Sequence, residues 1–183
     1  MPVAIDLTGS VALVTGGGRG IGRTAAIRLA EAGAAVGVIS RTQVEIDETA
    51  RAIRSAGGRG VATVADVSDP EATQAAVRTI ERELGPIGIL VNNAAVQFAK
   101  LLLEVSPEEW DRMIAVNLTG VFNCLRAVAP GMVERRRGRI VNISSDAGLR
   151  WFPTNAAYSA TKAAVNALTQ AFAGEVREFG ITV

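Results

Sequence analysis

Tyr158 and Lys162 lie four residues apart in "NAAYSATKAAVNAL" (155–168), a stretch that is otherwise alanine and other small or apolar residues. Alanine is the best helix former, so the stretch is predicted to be helical, and a spacing of four puts the two side chains on one face about one turn apart. That face could be core, surface or active site. If it is a site, its chemistry is proton transfer: a phenol has an ordinary pKa of about 10, and a neighbouring cation is what lets it give and take a proton near neutral pH. The chain has no histidine, which removes every His-based triad and every His-ligated metal site. Proton chemistry must therefore use Tyr, Lys, Asp or Glu, and no metal is expected.

A second pattern is "VTGGGRGIGR" (14–23), in which Gly16, Gly20 and Gly22 lie between a short apolar run and an alanine-rich one. A glycine turn from strand to helix lets the backbone approach a pyrophosphate, whose charge then meets free N–H groups at the helix N-terminus. The spacing is not G-x-G-x-x-G, and a turn that only permits tight strand–helix packing would read the same way. The next run ends "VISRT", with Ser40 and Arg41 where an acidic residue would bind ribose hydroxyls; the first acid after it is Glu45. Arginine there accommodates a 2′-phosphate, and Arg19 in the loop adds a second guanidinium, so NADP is favoured over NAD. The alternative is that both are solvated surface charges.

These stretches sit in an alternation of short β-branched runs (10–15, 34–40, 60–66, 87–93, 138–144 and 180–183) with helix candidates at 20–32, 42–56, 70–84, 107–130 and 156–178. Nearly continuous apolar strands are covered on both faces, and alternation with helices gives right-handed crossovers. The fold class is therefore α/β, a doubly wound parallel sheet with helices on both faces. Local signals agree. "DPE" (69–71) is an Asp cap with Pro at the first helical position, "SPEE" (106–109) is a capping box, and Gly138 is expected to close the helix ending in "ERRR". Asn117 falls inside a helix, where a side chain competing with the backbone can loosen a turn.

With 183 residues, 49% apolar content and a net charge of +1, one domain (1–183) is expected, with no general pull toward nucleic acid. No window is expected to be apolar enough for a bilayer, and no secretory signal is read in "MPVAIDLTGS", so no membrane partner and a cytoplasmic location are expected. The lone Cys124 leaves no internal disulfide. "ERRRGR" (134–139) reads as solvated charge complementing a helix end. Since "GITV" opens a strand that nothing follows, the domain is expected to be C-terminally incomplete.

Taken in order, "TGGGRGIG" (15–22), "NNAA" (92–95), Asn117 in "AVNLTG", Ser145 in "NISSDAG" and "YSATK" (158–162) resemble the short-chain dehydrogenase/reductase family, from about residue 8 onward. The resemblance implies a Rossmann-like sheet of order 3-2-1-4-5-6 and an NAD(P)(H)-dependent oxidoreductase, and implies a homo-oligomer, dimer or tetramer. It implies a tetrad of Asn117, Ser145, Tyr158 and Lys162. Tyr158 would exchange the proton, Ser145 would bond the carbonyl oxygen, Lys162 would also bind the nicotinamide ribose, and Asn117 would hold a water. Ser145 is chosen over Ser144 by its thirteen-residue spacing from Tyr158, and strand alternation turns the two serines opposite ways. Cofactor contacts are expected at Gly16, Arg19, Gly20, Ile21, Gly22, Ser40, Arg41, Asp66, Val67, Asn93, Ala94, Tyr158 and Lys162, with Asp66 contacting adenine or serving only as a cap. Ala95 stands where "NNAG" is usual.

The substrate pocket is expected from 96–100 and 149–155, with Gln97, Trp151 and Phe152 as liners suited to an apolar or aromatic carbonyl compound; the two aromatics could equally be core or interface. The whole reads as an NADP(H)-dependent ketoreductase, similar to the 3-oxoacyl-carrier-protein reductases, acting on a small carbonyl or alcohol substrate. A non-catalytic NADP-binding or assembly subunit is the alternative, since the family's segment after the sixth strand is not in the sequence.

Overall fold

The computed structural model describes residues 5–150 and 152–183. Six parallel strands, β1 (Val11–Thr15), β2 (Ala35–Ser40), β3 (Gly60–Val64), β4 (Ile89–Asn92), β5 (Gly138–Asn142) and β6 (Ile181–Thr182), form one sheet of order β3-β2-β1-β4-β5-β6. The chain runs outward from β1 to β2 and β3 and then crosses back to β4 on the other side of β1, and ligands of such sheets bind outside the carboxyl ends of the strands at that switch.

Strand alternation divides the core into two layers. Ala12, Val14, Val36 and Val38 pack against α1 (Gly20–Glu31) and α2 (Gln43–Ser55) through Ala26, Ile46, Ala50 and Ile53. Leu13, Ile39, Leu90 and Ile140 face the other way, toward Val77 and Ile80 of α3 (Pro70–Leu84), Leu125 and Val128 of α5 (Gly120–Glu134) and Val165 of α6 (Ala156–Val176).

The caps form as the sequence predicts. Asp69 accepts from the N–H groups of Glu71 and Ala72 ahead of α3, and Ser106 and Glu109 form a capping box at α4 (Pro107–Ile114). Two elements differ. One helix is predicted over 107–130, but the structure divides it into α4, a π-helical turn at Ala115–Thr119 and α5, with Asn117 in the widened turn. The closing residue of α5 is not Gly138: the helix ends at Glu134, Arg136 takes the left-handed conformation at φ 50°, and Gly138 opens β5. The arginines bridge this turn, because Arg135 and Arg136 donate to the carbonyls of Ile87 and Glu178 and Arg139 to those of Gly138 and Gly180.

The expectation that no segment is apolar enough for a bilayer also needs correction. Pro107–Glu134 is a 28-residue segment with a mean hydropathy of 1.3 in its most apolar window, enough by length and composition. More than half of that window is buried inside the fold, where Met113, Val116, Val121, Cys124 and Met132 join the core. Its apolarity covers the sheet.

Candidate active site

The glycine loop is shaped by contacts that no side chain could share. Gly16 has φ +63°, and a Cβ on Gly22 would lie 2.2 Å from the Gly16 carbonyl oxygen and 2.4 Å from Asn93 Nδ2. That nitrogen donates to the carbonyls of Thr15 and Gly16 at 3.0 and 3.2 Å, so the end of β4 fastens the turn from below. The Thr15 hydroxyl completes the clamp by accepting from the N–H groups of Asn93 and Ala94. Helix α1 then begins at Gly20 with Arg19 at its N-cap position, no side-chain cap and no acidic residue in its first turn. Its leading N–H groups are thus left for an anion.

A cleft of about 320 Å³ opens over this turn, lined among others by Gly16, Arg19, Ser40, Arg41, Asp66 and Asn93. Gly20, Ile21, Val67 and Ala94 border it as well, so the expected cofactor residues other than the clamped Gly22 and the Tyr158–Lys162 pair converge on one opening. Arg41 is exposed directly beyond β2. Glu45, in the first turn of α2, also lines the cleft, with its carboxylate against Gly18.

At the far wall Asp66 is heavily engaged. Arg112 Nη2 donates to Asp66 Oδ2 at 2.8 Å, the Ser68 hydroxyl and N–H both donate to Oδ1, and Arg41 Nη1 stands 3.9 Å from Oδ2. Partial burial works to raise this carboxyl, but the Ser68 bonds and Arg112 outweigh it and hold it down at about 2. Val67 next to it is buried, its carbonyl accepting from Asn123 Nδ2 at 2.8 Å.

The second group of residues gathers where β5 ends. Lys162 is 3% exposed. Its Nζ donates to the Ile143 carbonyl at 2.6 Å and lies 5.6 Å from the centre of the Tyr158 ring. Burial pushes this ammonium below its ordinary pKa. Tyr158 is half-buried in the first turn of α6. Asn117 is buried, its side chain bonded to both the N–H and the carbonyl of Val96, and its Nδ2 also donates to the Thr161 hydroxyl. Thr161 in turn donates to the Tyr158 carbonyl at 2.7 Å. The widened turn, the 96–100 loop and the start of α6 are thereby one bonded unit.

The strand ends at Asn142, before both serines, and their hydroxyls take different partners. The Ser144 hydroxyl donates to the Lys162 carbonyl, whereas Ser145 accepts from the Ala147 N–H and donates to Asp146. Among the described residues no hydrogen bond joins Ser145 to Tyr158. Gln97 Nε2 donates to Asn155 Oδ1 at 2.6 Å, and the Lys100 N–H to the Thr154 carbonyl, which stitches the two loops expected to border a substrate. Phe152 is 41% exposed and so is not core of this chain, while Trp151 lies outside the described residues. Cys124 is buried, its thiol pushed up by burial to about 12, and has no part in this chemistry.

Thr15, Arg112, Asn123 and Thr161 are positioning residues without a local sequence signal, apart from Thr15, the one polar residue of an otherwise apolar strand.

The model of the short chain dehydrogenase family matches residues 10–183. The chain belongs to this family. The chain is 39% identical over 173 residues to a 3-oxoacyl-acyl-carrier-protein reductase of Staphylococcus aureus, a match that covers 94% of this chain and 70% of that one. A gluconate 5-dehydrogenase of Burkholderia cenocepacia, solved with NADP and tartrate, superposes with a TM-score of 0.92 at 41% identity, over 97% of this chain and 70% of that one. An NAD+-bound xylitol dehydrogenase superposes with a TM-score of 0.93 at 35% identity, over 96% and 68%. Membership makes the chain an oxidoreductase by family and accounts for the sheet order.

Proposed function

We propose that this chain is an NADP(H)-dependent oxidoreductase interconverting a ketone and a secondary alcohol, with Tyr158 as general acid and base. The observation that carries the reading is the nearly buried Lys162 ammonium beside the Tyr158 ring. A cation there favours the phenolate left when the phenol gives up its proton. An ammonium has three donors, and among the described residues only Ile143 accepts from it, which leaves donors for ribose hydroxyls.

The residues present fit a dinucleotide. The clamp of Gly16 and Gly22 against Asn93 draws the turn and the start of α1 close together, and the uncapped start of α1 supplies N–H groups for a pyrophosphate. Arg19 and Arg41 would receive the 2′-phosphate and Asp66 the adenine. Bound there, the nicotinamide supplies hydride in reduction and takes it up in oxidation. During reduction Tyr158 would give its phenolic proton to the carbonyl oxygen, which becomes the hydroxyl, while the hydrogen gained by carbon is the hydride. The Ser145 hydroxyl exchanges its bond to Asp146 for one to that oxygen and stabilises the developing charge. Asn117 fixes the loop and helix between which the substrate would enter, with Gln97 and Phe152 bordering the opening.

Two of the relatives support different cofactors, NADP in one and NAD in the other; the paired arginines support NADP here. Exposed Trp110 and Phe122 on α4 and α5 support the expected homo-oligomer. Fluorescence titration with NADPH and with NADH tests the cofactor. Ketone reduction by the wild-type chain and by Tyr158→Phe tests the chemistry: the variant is expected to bind NADPH as before and to lose turnover, and full turnover by it would overturn the proposed role.

A further inference from the structure

One carboxylate oxygen lies between two guanidinium groups on the cofactor side of the sheet. Asp66 Oδ2 is 2.8 Å from Arg112 Nη2 and 3.9 Å from Arg41 Nη1. Its other oxygen is held by the Ser68 hydroxyl at 2.7 Å and the Ser68 N–H at 3.0 Å, and Arg112 Nη1 donates to the Ser68 hydroxyl at 3.2 Å. Arg112 and Asp66 side chains are each 30% exposed, whereas Arg41 is 59% exposed. The carboxylate is therefore committed to the inner arginine, and the outer one makes only a long contact with it.

We infer that Arg112 sets cofactor preference without touching the phosphate: by holding the Asp66 carboxylate, it keeps Arg41 available for the 2′-phosphate of NADP(H). The inference rests on the NADP reading above. Removing Arg112 leaves a carboxylate whose nearest cation is Arg41. A direct Arg41–Asp66 pair would then compete with the phosphate for the same guanidinium, and its negative charge would act on the phosphate uncompensated. The base, the nicotinamide and the pyrophosphate are common to NADPH and NADH, so damage to those contacts cancels in the ratio of the two affinities. Arg112 is thus a positioning residue, carried by α4 five residues ahead of Asn117, with a readout of its own.

The test is titration of the wild-type chain, Arg112→Met, Asp66→Asn and the double variant with NADPH and with NADH, each checked for fold by circular dichroism. Arg112→Met is expected to lower the NADPH-to-NADH affinity ratio roughly three- to tenfold, as fits a partly exposed charge, and to leave NADH affinity near the wild-type value. In the double variant, where no carboxylate competes, the ratio is expected to return toward wild type; damage that is merely structural would not be rescued. Asp66→Asn alone is expected to keep or raise the ratio, so a fall there overturns the inference even if Arg112→Met does not fold. A wild-type ratio near one overturns the NADP reading and this inference with it. A wild-type preference that persists unchanged in folded Arg112→Met overturns the inference alone.

Discussion

Lys162 Nζ donates to the Ile143 carbonyl at 2.6 Å, so a nearly buried cation ties α6 to the loop that carries Ser145. The bond places the cation at the cost of stripping it of water, and the two effects can be separated. Lys162→Met is expected to reduce ketone reduction by roughly a hundredfold or more, the scale of a lost acid–base partner. Its melting temperature is expected to stay near wild type, since replacing a desolvated charge by an apolar chain of similar length removes a burial penalty. Parallel turnover and melting measurements check this; equal loss of both would mean the lysine is structural.

Alkaline behaviour follows from the same burial. The Lys162 ammonium titrates below its ordinary value of 10.5, so turnover that needs the charged form should decline on the alkaline side before an exposed lysine would lose its proton. Stability moves the other way, because between the folded and unfolded pKa values the unfolded chain binds more protons, and unfolding free energy rises with pH through that window. A pH–rate profile set beside urea melts at the same pH values reads both slopes.

Acid behaviour turns on Asp66. Its pKa is lowered from 3.8 to about 2, so its contribution is complete above 3.8 and is lost as pH falls through about 2. At a partly exposed site the expected size is about 1 kcal/mol. Asp66→Asn should flatten the fall in stability between pH 4 and pH 2, and an unchanged acid limb in that variant would show that other carboxylates govern it.

Much of this arrangement is legible along the chain because its signals are local. Apolar strands, capping residues, the strand–glycine–helix turn and the four-residue spacing of Tyr158 and Lys162 each depend on neighbours in sequence, and the sheet order matches what the resemblance implies. The parts not legible are pairings across long separations. Arg112 meets Asp66 across 46 residues and Asn93 meets Gly16 across 77, and neither partner carries a mark of the other. Helix α5 was hidden differently: three arginines after it bond carbonyls and one takes a left-handed conformation, so the stop lies four residues before the glycine that pattern alone selects.

Gly22 offers the sharpest steric test. A methyl group there would meet the Gly16 carbonyl at 2.2 Å, backbone against side chain with no flexible end to yield. Gly22→Ala must push α1 away from the turn, at a cost of about 1–3 kcal/mol in stability, and NADPH affinity is expected to fall more than tenfold because the N–H groups move with the helix. A melting curve and an NADPH titration measure the two effects. Wild-type affinity in this variant would show that the clamp is not the phosphate cradle.

Glu45 is the one acid in the cleft that works against NADP. It lies four residues beyond Arg41 in sequence, yet the first turn of α2 brings its carboxylate against Gly18 beside the arginine pair. No guanidinium neutralises it as Arg112 neutralises Asp66: among the described residues it forms no ion pair within 4.0 Å. A 2′-phosphate arriving between Arg19 and Arg41 would meet that charge, while a ribose hydroxyl would find an acceptor in it. Glu45→Gln keeps the shape and removes the charge, so NADPH affinity is expected to rise roughly two- to fivefold with NADH affinity level or lower. Titration at low and high salt sharpens the reading, since an electrostatic gain shrinks as the Debye length shortens. A drop in NADPH affinity would place Glu45 among the residues that position the glycine loop instead of those that select the cofactor.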